Sequence, residues 1–487
     1  MKSDRSRFAR RHIRSAVLVL TLWLSLGPLR VCGRAQAKDL GEILVEKGII
    51  TRAELDEARA EEKRQKDAAE EAKRAAEMAA KLPKWVKVFV PFGDIRVRHE
   101  GFYQQDLQAR NRFRFRARLG VTANVSDEIS GTIRLATGDA NDPISTNQSA
   151  QNTFSRKSIN LDWVYLTLKP GKTFHLAPGW ITVTAGKFGV NSFRLSEILW
   201  DDDLAPEGAT ETLNLLDRRE GFLRGLRVSA FEWVIDEVSD GAEPWIPGGQ
   251  IVAETAFGTG ATWTLALADH YFDHINAVAR RSLNQYSDPP TNTKPNSSYN
   301  GSLANSNRVV RDRKGKILGY ESGFNVLNVG TELNVADPLG LGIPAWVFVD
   351  TAYNTQADGH NLGFYAGAGI GKAGRDWYRN SLRAVGDWGL SYTYAWIEKD
   401  AVVSLFTFSD INEFSTRPSG SGDPRPTQRG GTNLSAHMVR LDYILLPNLQ
   451  LSAKAYIENV LNRRLSNAAL TGNSTLLRTQ VDAMLRF

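Results

Sequence analysis

From residue 93 to the end of the chain, apolar and polar side chains alternate in short runs separated by turn residues. The clearest run is the last, where Leu477, Thr479, Val481, Ala483, Leu485 and Phe487 alternate with Arg478, Gln480, Asp482 and Arg486, Met484 being the exception. A period of two marks a strand with one greasy and one polar face. Such a strand serves either a soluble sheet packed on a core or a membrane barrel whose apolar face meets lipid and whose polar face lines water. A chain that ends on an outward aromatic ring, Phe487, favours the barrel, because the ring is then set at one membrane interface.

The alternation recurs upstream. Asp94, Arg96, Arg98 and Glu100 alternate with Ile95, Val97 and His99; Arg112, Arg114, Arg116 and Arg118 alternate with Phe113, Phe115, Ala117 and Leu119; Ser130, Thr132 and Arg134 alternate with Ile129, Gly131, Ile133 and Leu135. Trp388, Leu390, Tyr392, Tyr394 and Trp396 make an aromatic stripe opposite Gly389, Ser391, Thr393 and Ala395, which suits a lipid interface. With a brief strand near Glu220, the pattern predicts an all-β fold, a transmembrane antiparallel barrel of about 16 strands over residues 83–487. The connections also sort by length. Short links at 125–127, 258–261 and 447–448 alternate with long polar ones at 138–157, 188–219, 273–321 and 400–435, the arrangement of a barrel with turns at one edge and loops at the other.

Residues 38–82 break this period. Leu40, Ile43 and Leu44 have helical spacing up to Gly48, and Thr51 with Glu54 makes a capping box. Ala68, Ala72, Ala75, Ala79 and Leu82 follow as a small-sided heptad stripe. The segment reads as a short periplasmic α-helical or coiled-coil stretch ended by Pro83. A solvated spacer is the plainer reading and a cell-wall contact the sharper one.

Composition changes the picture at the start of the chain. Lys2, Arg5, Arg7, Arg10, Arg11 and Arg14 precede the apolar run 16–29, and Ala35-Gln36-Ala37 follows, so residues 1–37 read as a secretory signal peptide. This segment holds 8 Lys+Arg and 1 Asp+Glu, leaving 52 and 53 in the remainder. The formal charge of +6 is thus an export feature and not a nucleic-acid footprint. Cys32, the only cysteine, leaves with it, which excludes disulfides and Cys-based metal sites from the remainder.

The chemistry of the remainder points away from catalysis. The seven histidines lack metal-ligand spacing, no nucleophile elbow or phosphate loop occurs, and the run Gly367–Gly371 suits close-packed strand glycine. No enzyme activity, cofactor or metal is expected. The informative set is electrostatic: Arg96, Arg98, Arg112, Arg114, Arg116, Arg118 and Arg134 share the polar face of three consecutive strands, where they would line a pore. The connection 188–219 supplies Glu197, Asp201, Asp202, Asp203, Glu207 and Glu211, and its Phe193, Leu195, Ile198, Leu199, Trp200 and Leu204 are too apolar for a free tip. It is expected to fold inward as a constriction loop facing the arginine wall. Trp388, Tyr392, Tyr394, Trp396 and Phe487 are the expected membrane-interface aromatics.

The order of these features resembles the porin family of Gram-negative outer membranes, β-barrel porins. The resemblance is carried by Gly93-Asp94-Ile95-Arg96-Val97-Arg98, Arg112 to Arg118, Gly186-Lys187-Phe188, Gly386-Asp387-Trp388, Asp400-Ala401-Val402-Val403 and terminal Phe487. It implies a water-filled pore for passive diffusion of small hydrophilic solutes and ions. It also implies outer-membrane lipid and the barrel-assembly machinery as partners, and a homotrimer. The alternatives are a solute-specific anion or sugar channel and a structural barrel tethering the outer membrane to the cell wall.

Overall fold

The computed structural model describes residues 88–487 except 105–107, 281–304, 373–383, 415–429, 463–474 and seven single positions; before them it describes only Val45, Lys47, Gly48, Thr51, Arg52 and Leu55. The expected signal peptide, and nearly all of the expected helical segment 38–82, therefore lie outside the described residues. Residues 1–82 and 83–487 form separate units.

The barrel strands of the second unit are β1 (Phe89–Gln104), β2 (Arg110–Asn124), β3 (Ile129–Thr137), β4 (Ile159–Leu168), β5 (Ile181–Lys187), β6 (Glu207–Asp217), β7 (Leu223–Val234) and β8 (Trp245–Phe257). They continue as β9 (Ala261–Phe272), β10 (Phe324–Val335), β11 (Ala345–Asn354), β12 (Leu362–Gly371), β13 (Trp388–Ile397), β14 (Leu434–Leu446), β15 (Leu449–Val460) and β16 (Thr475–Arg486). Each pairs antiparallel with its neighbours in sequence, and β16 pairs with β1 from Leu476↔Gln104 to Arg486↔Asp94. The sheet is closed and has no free edge to pair with another chain. The Gly93 amide donates to the Phe487 carbonyl (2.8 Å) and the Phe487 amide to that of Gly93 (3.1 Å), so the seam is fastened at the end of the chain. Gly93 has no room for a side chain: a Cβ would meet the Phe487 ring at 2.8 Å.

The alternation gives each strand a buried and an exposed side. In β16, Leu477, Val481 and Leu485 are exposed while Arg478, Gln480 and Asp482 are buried. The exposed side of the barrel is apolar over most of its circumference, and the carboxylates Glu211, Glu232 and Asp269 on it stand within four residues of the long-connection ends of β6, β7 and β9. The turns 125–128, 258–260 and 447–448 share one edge with Phe487; the connections 138–158, 188–206, 273–323 and 398–433 share the other.

One expectation is corrected here. The brief strand placed near Glu220 is instead β6, a full strand, and residues 218–222 are the turn after it. Its alternation is masked because two exposed-side positions, Glu207 and Glu211, are acidic. The inward connection accordingly spans 188–206, and Glu207 and Glu211 are strand residues outside it.

The inward faces are not uniformly polar. Phe231, Trp233, Phe272, Phe324, Val326, Trp346 and Phe348 are buried inside the barrel from β7 to β11. They pack against two connections folded into the lumen: Phe188, Ile198, Leu199, Trp200 and Leu204 from 188–206, and Val402, Val403, Leu405 and Phe408 from 398–433. Burying such side chains stabilises by roughly 1.5–3 kcal/mol each. The loops are thus held by a hydrophobic core of their own, with the barrel wall as its other half. Gly367 and Gly369 of β12 belong to this half, where a Cβ would collide with the rings of Phe348 and Trp346. That accounts for the glycine run at 367–371.

Candidate functional site

Across the lumen from this apolar core stands the arginine wall. Register places Arg96 of β1 opposite Arg116 of β2, and Arg98 opposite Arg114. Like charges directly opposite destabilise a strand pair, so countercharges are required. Five of the seven arginines have them. Arg98 Nε donates to Asp482 (2.6 Å) and its Nη1 to Asp410 (2.8 Å); Arg112 Nε donates to Glu100 (2.5 Å) and its Nη2 to Glu413 (3.0 Å). Arg116 and Arg118 share Asp94 (2.8 and 2.7 Å) and Asp203 (3.4 and 3.1 Å), and Arg134 pairs with Asp162 (2.5 Å). Arg96 and Arg114 meet neutral oxygens instead. Arg96 Nη2 donates to Asn147 Oδ1 (2.6 Å) and Arg114 Nη2 to Ser145 Oγ (3.1 Å).

The acidic residues of the inward loop divide by task. Asp203 reaches the wall, and also accepts the Thr146 amide (3.0 Å). Burial would raise its pKa, but Arg116 and Arg118 overcome this and hold the carboxyl below the usual range. Asp202 pairs with Arg194 of its own loop (3.0 Å). Asp201 ties loop to loop: its carboxylate accepts the amides of Asp203 (2.8 Å) and Ser409 (2.8 Å), while its own amide donates to the Phe406 carbonyl (2.8 Å). Glu197 accepts the Asp202 amide (2.8 Å) and its carbonyl accepts the Phe408 amide (3.2 Å). Burial, reinforced by the neighbouring carboxylates, pushes Asp201 and Glu197 well above the ordinary range. Glu207 stands apart at the strand end, where it pairs with Lys187 (2.9 Å).

Several residues that shape the site lie outside the set chosen from sequence. Asp410 joins Arg98 to Arg478 (2.9 Å to Arg478 Nη2), and despite burial those two guanidiniums hold it far below the usual carboxylate range. Arg478 also pairs with Glu100 (2.8 Å), and Lys454 with Asp482 (3.3 Å). A signal for the second inward loop is present in the chain: Leu405, Phe406 and Phe408 are as apolar as the run 193–204. The 398–433 loop is pinned by the buried Asn307, whose Nδ2 donates to the carbonyls of Lys399 and Val402 (both 2.7 Å), and by the Arg308–Asp400 ion pair.

Two polar spaces stand out among the described residues. One, of about 350 Å³, lies between the arginine wall and the tips of both loops and is lined by nine basic and six acidic side chains. The other, of about 530 Å³, lies by β6 to β9 and is lined by Arg194, Asn214, Arg227 and Glu254 among others. On the barrel exterior, Trp388, Tyr392 and Phe487 are exposed, Tyr394 and Trp396 half-buried, and the Tyr392 hydroxyl lies 2.7 Å from His437 Nδ1. No group of His, Cys, Asp and Glu with metal-binding geometry occurs among the described residues.

A family model described as "Putative porin" matches residues 102–420, more than half of the chain. No curated protein matches. Among solved structures, OprB of Pseudomonas putida at high pH is similar at 12% identity and a TM-score of 0.47, covering 82% of this chain and 95% of that one. OmpF of Salmonella typhi, solved with daunomycin, gives 9% and 0.43, over 82% and 97%. OmpT of Vibrio cholerae, solved in a trimer form, gives 9% and 0.39, over 82% and 100%. At this level the likeness stops at general outline, and closure of the present barrel rests on its own register.

Proposed function

The chain belongs to this porin family of the Gram-negative outer membrane, and from that premise we propose that it forms a water-filled channel for passive diffusion of small hydrophilic solutes and ions, with anions preferred. The observation that carries the reading is the polar space of about 350 Å³ left between the arginine wall and the two inward loops of a closed barrel. Field lines crossing a narrow, low-dielectric passage act strongly on a passing ion. Nine cations against six carboxylates on the lining give that field its sign. The functional residues of this reading are Arg96, Arg98, Arg112, Arg114, Arg116, Arg118 and Arg134 on the wall, with Asp203 and Asp410 as the loop charges that trim it. Trp388, Tyr392, Tyr394, Trp396 and Phe487 set the lipid interfaces.

Planar-bilayer recording with a reversal potential in a salt gradient tests this. A channel gives unitary steps and a reversal potential displaced toward the anion equilibrium value; a purely structural barrel with a filled lumen gives no steps. The same assay addresses the segment 38–82, which we place in the periplasm as a spacer or cell-wall contact dispensable for conduction. Its deletion should leave unitary conductance unchanged. Assembly through the barrel machinery as a homotrimer belongs to the same proposal, and mass measurement of the detergent-extracted protein tests the stoichiometry.

A further inference from the structure

Among the described residues, every cation lining the 350 Å³ space is ion-paired with a carboxylate except two, Arg96 and Arg486. The carboxylates nearest to them are committed elsewhere. Asp94, opposite Arg486 in the register, gives one oxygen to Arg116 and the other to Arg118. Asp482 is taken by Arg98 and Lys454. Arg96 has one hydrogen bond, to the neutral Asn147 amide, and its Nε is buried without a partner. An unmade hydrogen bond on a buried charged donor is costly, and a visiting acceptor relieves it.

The two arginines are also placed to act together. Arg96 lies opposite Met484 and Asp94 opposite Arg486, so Arg96 and Arg486 are diagonal neighbours on adjacent strands, both facing the same space. Diagonal positions are roughly 7–8 Å apart, within reach of long side chains converging on one ligand. Guanidinium forks match planar or tetrahedral oxyanions and bind them by charge-assisted hydrogen bonds. Glu197 and Asp201, which line the same space, are engaged by backbone amides at the loop junction and pair with neither arginine.

We propose that Arg96 and Arg486 form an oxyanion subsite in the passage, at which a small solute carrying a carboxylate or phosphate pauses in transit. This rests on the channel reading and adds the chemical class of the solute.

The test is block of chloride current through the full-length protein in planar bilayers by inorganic phosphate and, separately, by succinate. The subsite predicts saturable block, with the half-blocking concentration raised about tenfold or more in Arg96→Gln and in Arg486→Gln, the order of one charge-assisted hydrogen bond. Block by both anions assigns the shared oxyanion chemistry; block by phosphate alone restricts the site to tetrahedral anions. Arg486 adjoins the closing strand end, so if Arg486→Gln fails to assemble, Arg96→Gln decides. Unitary steps with linear, unsaturated anion dependence, or an assembled Arg96→Gln with unchanged block, overturn the subsite while leaving the channel intact. Absence of any steps overturns the channel reading, and the subsite with it.

Discussion

On β1 to β3 and on β16 the inward side chains are charged and find one another; on β7 to β11 they are rings and branched chains that pack against loops. Both halves obey the same period of two, and both turn their other side outward. The difference lies in what arrives from the long-connection edge. The 188–206 and 398–433 loops bring apolar residues to the second half and carboxylates to the first, with Asp203 and Asp410 meeting the arginines while Trp200 and Leu405 enter the core. One loop therefore presents two faces, and the barrel wall is complementary to each. The charged half neutralises itself locally and leaves only a few cations uncommitted, whereas the apolar half fixes where the loops stand and so how wide the charged passage is.

The strongest way to break this division is to remove its largest shared ring. Trp200 packs edge-on against Trp233 (centroids 5.2 Å) and stacks on Phe272 (5.8 Å). Trp200→Ala should cost about 3–5 kcal/mol of local packing. Both loops should loosen, giving larger and noisier unitary conductance and a lower temperature for the heat-induced gel shift of the folded barrel. Unchanged conductance would mean that the apolar half does not set the width of the passage.

The next test acts on the charged half. Asp410→Asn removes the shared partner of Arg98 and Arg478, which keep Asp482 and Glu100 respectively. Removing one partner of a buried ion pair outright costs about 3–5 kcal/mol, and the retained carboxylates lower that here. The reversal potential should move further toward anions, and the loop tip should become protease-sensitive. A shift toward cations would count against the whole electrostatic assignment.

How much of this is legible in the chain divides along the same line. The barrel, its strand number and the arginine wall are legible because period-two alternation is local: Arg112 to Arg118 need only their own neighbours to declare a face. The 188–206 loop is legible in part, since Leu199 and Trp200 are too apolar for water. The pairing partners are not legible, because they depend on register and on loop return over long sequence distances. Asp410 lies 312 residues from Arg98, and Asp482 lies 384 from it. Nor can local pattern separate Asp203 from Asp201, which are two residues apart yet serve the wall and the loop junction respectively. The strand β6 escapes the pattern for the opposite reason, since acids on its lipid side imitate a loop.

That separation within the acidic triplet gives a finer test. Asp203→Asn should shift the reversal potential clearly toward anions, because an ionised carboxylate bridging Arg116 and Arg118 is lost. Asp201→Asn should shift it less, because burial raises that carboxyl's pKa and favours its neutral form. A unit charge some 6–8 Å from an ion is worth roughly 2–3 kcal/mol at an effective dielectric of about 20, before screening reduces it. The contrast between the two variants should therefore be measurable. Equal shifts would mean that Asp201 carries as much charge in the passage as Asp203.

The smallest expected effect is a dependence on pH, and its sign differs for the two kinds of carboxyl. Glu197 and Asp201 have pKa values raised by burial, so their neutral forms are the ones the fold favours. Their contribution to loop packing is complete below the ordinary carboxylate range and is lost as pH rises through the raised values. Asp203 and Asp410 have depressed values, so their contribution is complete above the ordinary range and is lost only as pH falls through the depressed ones. Mild acidification should consequently change neither the wall pairs nor the loop junction. Raising the pH through those raised values should ionise Glu197 and Asp201, add negative charge to the passage and weaken the junction. In a pH titration, anion preference should hold through mild acidification and should fall, with growing open-channel noise, as pH rises through the raised values. Glu197→Gln combined with Asp201→Asn should flatten that change. A preference that instead rises on mild acidification would show that the loop carboxyls titrate in their ordinary range, and so that the junction between the two loops is open to water.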